Sequence, residues 1–80
     1  MRVLVVEDEE LLAETLARGL REEGFEVDVE LDGLSGLWRA QQSAYDVIVL
    51  DLLLPHMSGF RVCQELRSAG STVPVLVLTA

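Results

Sequence analysis

Apolar and polar positions follow two different periods along the 80 residues. Residues 3–6 and 47–50 are short apolar runs rich in β-branched side chains, and such runs predict strands that are covered on both faces. Residues 74–78 form a similar run and predict a fourth strand. Residues 25–31 alternate apolar and acidic side chains with period two, which predicts an edge strand with one buried and one solvated face.

Three amphipathic helices separate these strands in the predicted order. The first covers about residues 10–23 and ends at Gly24, the second follows Asp32-Gly33, and the third begins with Ser58 as its cap and ends at Gly70. The positions expected to face the core are Leu12, Leu16, Gly19 and Leu20 in the first helix, Leu34, Leu37, Trp38 and Ala44 in the second, and Phe60, Val62, Cys63 and Leu66 in the third.

The resulting order, βαβαβαβ, predicts an α/β fold. Strands joined by helical crossovers form a parallel sheet with helices on both faces, which is the doubly wound arrangement. We find no internal repeat and no linker, so the chain is expected to contribute to one domain.

Charge and composition narrow the range of functions. The net charge is −8 and the sequence pI is about 4.3, which disfavours direct binding to nucleic acid or to an anionic membrane. All six basic residues are arginines, so the chain contains no lysine. One cysteine cannot form an internal disulfide, and neither a membrane span nor a signal peptide is evident, so we expect a cytoplasmic protein.

Polar side chains follow three of the predicted strands at their carboxyl ends, where ligands bind in open parallel sheets. Glu7 and Asp8 follow the first strand, Asp51 follows the third, and Thr79 follows the fourth. Two carboxylates about 4 Å apart repel by roughly 4 kcal/mol at an effective dielectric of about 20. A divalent cation would relieve this repulsion, and oxygen ligands favour Mg²⁺ over zinc.

Simpler interpretations exist for each of these residues. The acids at 7–10 are also typical of a helix N-terminus, and Thr79 could be a solvated hydroxyl at a strand end. The position of Asp51 beside the first acidic pair is what favours a pocket. His56 is expected to be a solvated loop residue and Cys63 a small core residue.

Three segments together resemble a known family. They are Val-Glu-Asp-Glu at 6–9, Asp-Leu-Leu-Leu-Pro-His-Met-Ser-Gly at 51–59 and Leu-Thr-Ala at 78–80, and they resemble the receiver domain of bacterial two-component response regulators. The resemblance implies a flavodoxin-like fold and a phosphorelay function. It implies that Asp51 accepts a phosphoryl group from a sensor histidine kinase, that Thr79 senses the phosphate, and that Mg²⁺ is a cofactor. The implied metal ligands are Glu7, Asp8, Asp51 and the backbone carbonyl of Leu53.

The resemblance is incomplete at the C-terminal side. The family's lysine, its switch aromatic and its last strand and helices have no counterpart, so residues 1–80 are expected to be the N-terminal two-thirds of a receiver domain, truncated after the fourth strand. The sequence Asp-Leu-Leu-Leu-Pro resembles members that carry a winged-helix DNA-binding domain, which implies a transcriptional output outside this segment. The chain would then be a phosphoacceptor rather than an enzyme.

An alternative with the same fold is a receiver that is not phosphorylated and acts as a protein-interaction or dimerisation module. Dependence on Mg²⁺ separates the two hypotheses. In either case the apolar fourth strand presents an open sheet edge, which predicts a homodimer or a strand-exchanged oligomer.

Overall fold

The computed structural model describes residues 1–78, so Thr79 and Ala80 lie outside the described residues. The strands are β1 (Arg2–Val6), β2 (Glu26–Glu30), β3 (Val47–Asp51) and β4 (Val75–Leu78), and the helices are α1 (Glu10–Glu22), α2 (Gly33–Gln42) and α3 (Gly59–Ser68). Strands and helices alternate along the chain, as the sequence predicts.

The four strands form one parallel sheet in the order β2-β1-β3-β4. β1 and β3 are the inner strands, which explains why their sequences are apolar on both faces. β2 lies at an edge, and its alternating sequence predicts that position. This arrangement confirms the α/β fold with a doubly wound parallel sheet.

The alternation of side chains along β1 divides the core into two layers. Val3 and Val5 pack with Ala13 and Ala17 of α1 on one face of the sheet. The layer on the other face contains Leu4 and Val6 with residues of α2, β3 and α3: Leu37, Ile48, Leu50, Val62 and Leu66. Helices therefore cover both faces, and the carboxyl ends of β1 and β3 emerge side by side.

Local sequence determines where the helices begin and end. The Asp32 carboxylate accepts a hydrogen bond from the Ser35 amide at the start of α2, and the Ser58 hydroxyl accepts one from the Arg61 amide at the start of α3. Gly24 and Gly70 follow α1 and α3 with φ angles of 93° and 86°, a conformation that favours glycine.

Several predicted core positions are wrong. Trp38 is 60% exposed, Leu34 is 55% exposed and Phe60 is 66% exposed. The buried positions of α2 are Gly33, Gly36 and Leu37. The two glycines bring the helix close to the rest of the protein, and Leu34 and Trp38 point outward while Leu37 is buried.

The predicted apolar face of α1 also needs correction. Ala13 and Ala17 are its buried residues, whereas Leu12 and Gly19 are exposed. In the second helical segment, Ala44 lies beyond the end of α2.

Cys63 of α3 is partly buried and packs against the core, which agrees with its predicted structural role. Among residues 1–78, the helices are too short or too polar to span a bilayer.

Candidate functional site

The structure brings Glu7, Asp8 and Asp51 together. Glu7 and Asp8 directly follow β1, and Asp51 is the last residue of β3. Val6 pairs with Leu50 in the parallel register, so both strands end at the same edge of the sheet. One carboxylate oxygen from each of the three residues lies within 4.8 Å of the others.

The three carboxylates differ in their exposure. Glu7 is only 4% exposed, Asp51 is partly buried and Asp8 is exposed. A Glu7 oxygen accepts a hydrogen bond of 3.0 Å from the Glu9 amide. Burial raises the pKa of the Glu7 carboxyl above its ordinary value of 4.5, and although the Glu9 amide opposes this shift, Asp8 and Asp51 add to it. The cluster therefore disfavours its own full ionisation.

Asp51 is oriented by the backbone around it. The Leu53 amide donates a hydrogen bond of 3.2 Å to Asp51 Oδ1. The Gly59 amide donates a bond of 2.9 Å to the Leu52 carbonyl, which ties the start of α3 to the end of β3. A Cβ atom on Gly59 would lie 2.2 Å from the Asp51 carbonyl oxygen, so this close approach requires glycine.

The acidic cluster lines an open pocket of about 310 Å³. Leu12, Leu16 and Leu78 form its apolar walls, and Glu9 lies at its border. Carboxylate oxygens in a water-accessible pocket are donors that suit Mg²⁺, which usually retains several waters. The donor set therefore fits this ion, and it lacks the nitrogen and sulfur ligands typical of zinc sites.

The start of α1 does not by itself account for the clustered acids, because the Glu7 carboxylate accepts a bond from the Glu9 amide and also lies within 4.8 Å of Asp8 and Asp51. Glu9 is the N-cap of α1 but makes no side-chain capping hydrogen bond, and Glu10 is the acidic residue of the first turn. The Glu7 side chain is buried in the cluster instead. The pocket interpretation is thus better supported than the capping interpretation.

His56 lies in the β3–α3 loop with its side chain 68% exposed, as the sequence predicts. It adopts a φ of 68°, which is uncommon for a residue other than glycine. Its Nδ1 lies 3.6 Å from Asp32 Oδ1, a contact that the sequence reasoning missed. Asp32 followed by Ser35 is a recognisable cap signal, but the proximity of His56 arises from the tertiary fold.

Residues 3–80 match the family model for the response regulator receiver domain, and the chain belongs to that family. This finding confirms the resemblance that the three sequence segments carry.

Curated relatives and solved structures agree with this assignment. The chain is 55% identical over 78 residues to the sensory transduction protein RegX3 of Mycolicibacterium smegmatis, covering 98% of this chain and 34% of RegX3. It is 45% identical over 80 residues to the transcriptional regulatory protein CusR of Escherichia coli K12, covering all of this chain and 35% of CusR. The chain thus spans about a third of the length of these relatives.

Among solved structures, the receiver domain of the Francisella response regulator 1452 superimposes with a TM-score of 0.95 at 32% identity, over 99% of this chain and 65% of that one. TrrA of Thermotoga maritima in complex with Mg²⁺-BeF superimposes with a TM-score of 0.83 at 34% identity, over 95% of this chain and 64% of TrrA. A matching chain in the complex of the histidine kinase ThkA with TrrA superimposes with a TM-score of 0.90 at 37% identity, over 99% of this chain and 68% of that chain.

Proposed function

We propose that this receiver domain is a Mg²⁺-dependent phosphoacceptor in a phosphorelay and that Asp51 takes the phosphoryl group. The observation that carries the proposal is the clustering of Glu7, Asp8 and Asp51 within 4.8 Å at the carboxyl edge of the sheet. Asp51 combines partial exposure with a fixed orientation, since Leu53 holds its Oδ1. A phosphodonor can therefore reach a carboxylate that is already positioned.

Glu7, Asp8, Asp51 and the backbone carbonyl of Leu53 would hold the Mg²⁺. Burial, with a further contribution from Asp8 and Asp51, raises the pKa of Glu7, and a cation at this place would offset this cost of ionisation. When bound, Mg²⁺ would neutralise charge on the phosphoryl oxygens and so permit the approach of two anions. TrrA, a structural neighbour, is known in complex with Mg²⁺-BeF.

The transfer step needs little chemistry from the protein beyond positioning. An Asp51 carboxylate oxygen forms a bond to the phosphorus of the donor phosphohistidine, and the bond from that phosphorus to the imidazole nitrogen breaks. The electron pair of the broken bond remains on the imidazole. The product is an acyl phosphate on Asp51, and the Leu53 amide restricts the rotation of that carboxylate during attack.

The partner and output follow from the same assignment. We propose a sensor histidine kinase as the phosphodonor, in line with the ThkA–TrrA complex. A relative named as a transcriptional regulator favours a transcriptional output through a separate domain. The net charge of −8 favours a segment that itself binds neither nucleic acid nor membrane. We propose a cytoplasmic location. Residues 1–80 would form the N-terminal two-thirds of the receiver. Thr79, which lies outside the described residues, is proposed to sense the phosphate.

The test is phosphorylation of the protein that carries residues 1–80 by a small acyl phosphate in the presence of Mg²⁺. Intact mass should increase by one phosphoryl group, and peptide mapping should place that group on Asp51. Asp51→Asn should abolish the mass increase. Asp46→Asn is the matched control, because Asp46 flanks the opposite end of the same strand and accepts a hydrogen bond from the Arg2 amide.

Two results would contradict the proposal. Label that survives Asp51→Asn would assign the acceptor to another residue. A folded protein that neither binds Mg²⁺ nor gains a phosphoryl group would favour the alternative, a receiver used only for protein interaction.

A further inference from the structure

The turn between β2 and α2 contacts the loop that follows Asp51. The Gly33 amide donates a hydrogen bond of 3.2 Å to the Pro55 carbonyl. A Cβ atom on Gly33 would lie 1.8 Å from the Met57 carbonyl oxygen and 2.7 Å from the Met57 carbonyl carbon. Since these are backbone atoms, they cannot move away by a simple side-chain rotation. The contact is therefore compatible only with glycine unless the loop shifts.

This contact anchors the β3–α3 loop at a defined point. The Leu52 carbonyl accepts a bond of 2.9 Å from the Gly59 amide, and the Pro55 carbonyl accepts bonds from the Met57 amide at 2.8 Å and from Gly33. Leu53 lies between these two anchored carbonyls. The Leu52 carbonyl is bonded to Gly59 at the start of α3, whereas the Pro55 carbonyl is bonded to Gly33 at the start of α2.

The turn itself is held rigidly enough to serve as an anchor. Asp32 caps α2 through the Ser35 amide at 2.8 Å and also accepts a bond of 3.0 Å from the Ser35 hydroxyl. Its carboxylate lies 3.6 Å from His56 Nδ1 on the loop. Asp32 thus contacts both α2 and the loop, and Gly33 supplies the close approach between them.

We propose that the Asp32–Gly33 turn positions the β3–α3 loop for metal binding, and that Gly33 is a positioning residue of the phosphoacceptor site. The inference rests on the proposed function, because it concerns the Leu53 carbonyl as a metal ligand. Mg²⁺ demands nearly ideal octahedral geometry. A shift of Pro55 and Met57 would move the nearby Leu53 carbonyl. The affinity for Mg²⁺ would then fall without any change in the carboxylates.

The test compares substitutions in the protein that carries residues 1–80. Gly33→Ala places a methyl group against the loop. Leu66→Ala is the control for lost stability, since Leu66 is buried in the core at the end of α3 that lies away from the loop. Gly19→Ala is the benign control, because a Cβ there meets nothing within 4 Å.

Two readouts are needed: the Mg²⁺ dissociation constant by calorimetry, and the backbone amide spectrum of the metal-free protein. Gly33→Ala is expected to weaken Mg²⁺ binding by about 10-fold, a typical effect of perturbing a group that orients a metal ligand. It should also shift the amide signals of Leu53, His56 and Met57 before metal is added. Leu66→Ala should lower stability yet leave Mg²⁺ affinity within about twofold of wild type, since Leu66 is remote from both the loop and the carboxylates.

The outcomes separate this inference from the proposed function. If the wild-type protein binds no Mg²⁺, the proposed function is wrong. If wild type binds Mg²⁺ and Gly33→Ala binds it equally well, the positioning role is wrong while the proposed function stands. Equal weakening by Gly33→Ala and Leu66→Ala would also overturn the positioning role, because the effect would then reflect general destabilisation.

A second variant covers the case in which Gly33→Ala does not fold. Asp32→Ala removes the cap of α2 and the contact with His56 without placing any atom against the loop. It should weaken Mg²⁺ binding by less than Gly33→Ala does, because it displaces no backbone atom of the loop. An unchanged dissociation constant in this variant would overturn the positioning role.

Discussion

At the scale of single residues, two carboxylates of the site, Glu7 and Asp51, occupy environments suited to different tasks. Glu7 is almost completely buried, so its charge is held away from water and a phosphodonor cannot reach it. Asp51 is partly exposed and its carboxylate is oriented by the Leu53 amide. The buried group is therefore suited to hold a cation, and the accessible group is suited to react.

We expect Glu7→Gln to change how the stability of the metal-free protein depends on pH. The raised pKa of Glu7 means that the folded state binds this proton more tightly than the unfolded chain does. The free energy of unfolding should therefore fall as pH rises from the ordinary value of 4.5 through the raised pKa. Urea unfolding across this range should show that Glu7→Gln lacks this decline.

The exposed neighbour Glu10 provides the control for that experiment, and Glu10→Gln should retain the wild-type decline. Added Mg²⁺ should stabilise wild type more than Glu7→Gln, because the variant loses a charged ligand and should bind the metal at least about 10-fold more weakly. If the free energy of unfolding depended on pH identically in wild type and Glu7→Gln, the ionised Glu7 carboxylate would not be a buried, destabilising charge.

Tyr45 offers a second test at the residue scale, away from the site. Burial, followed by the hydrogen bond that its hydroxyl donates to Asp28, raises the pKa of Tyr45 to about 12. Since the neutral form is favoured in the folded state, this contribution to stability is complete below pH 10 and is lost as pH rises through about 12. Tyr45 is the only tyrosine, so tyrosinate absorbance reports it directly.

The expected absorbance midpoint is about 12, and Asp28→Asn should lower it towards 10 while circular dichroism confirms that the protein is folded. A wild-type midpoint near 10 in the folded protein would refute the buried hydrogen bond.

At the scale of elements, the three helices differ in which groups accept hydrogen bonds from the free backbone amides at their N-termini. α2 and α3 have side-chain caps from Asp32 and Ser58. The N-cap residue of α1, Glu9, makes no capping bond with its side chain. The Glu9 amide is instead bonded to the Glu7 carboxylate. The start of α1 is thus coupled to the site, while α2 and α3 begin with independent local signals.

Ser58→Ala should lower the free energy of unfolding by about 1 kcal/mol, because the Arg61 amide loses its capping partner. Chemical denaturation measures this change directly. Ser68→Ala, at the exposed end of the same helix, should change stability by less than about 0.5 kcal/mol. A Ser58→Ala cost no larger than that of Ser68→Ala would indicate that the cap contributes nothing.

At the scale of the whole molecule, the two edges of the sheet have different chemistry. β2 carries Glu26, Asp28 and Glu30, and charged side chains discourage pairing with another chain. β4 is entirely apolar, and Leu76 is 60% exposed. Within residues 1–78, no strand pairs with the outer side of β4.

We expect the 80-residue polypeptide to self-associate through β4, by edge pairing or by exchange of elements between copies. Sedimentation velocity over a range of protein concentrations should show a concentration-dependent increase in mass. Leu76→Lys should reduce association, since a lysine on an edge strand opposes pairing. Leu34→Lys is the matched control, because Leu34 is similarly exposed but lies on α2. A stable monomer at all concentrations would show that the β4 edge does not associate.

Much of the architecture can be predicted from the sequence alone. The buried runs of β1 and β3, the alternation in β2 and the helix-ending glycines at 24 and 70 are local signals, and local signals are sufficient to specify elements. The parallel sheet then follows from the alternation of strands and helices. The convergence of Glu7 and Asp51 follows in turn, because parallel strands end at a common edge.

Which side chains α1 and α2 bury was decided by tertiary structure, whereas the periodicity of α3 correctly predicts that Val62 and Leu66 are buried. Helical periodicity favours Leu34 and Trp38 as core residues, yet both are exposed because Gly33 and Gly36 form the close contact. A hydrophobicity pattern gives no weight to a residue that has no side chain. The contact of Gly33 with Met57 joins segments that are distant in sequence, and only the packing of two crossovers on one sheet brings them together.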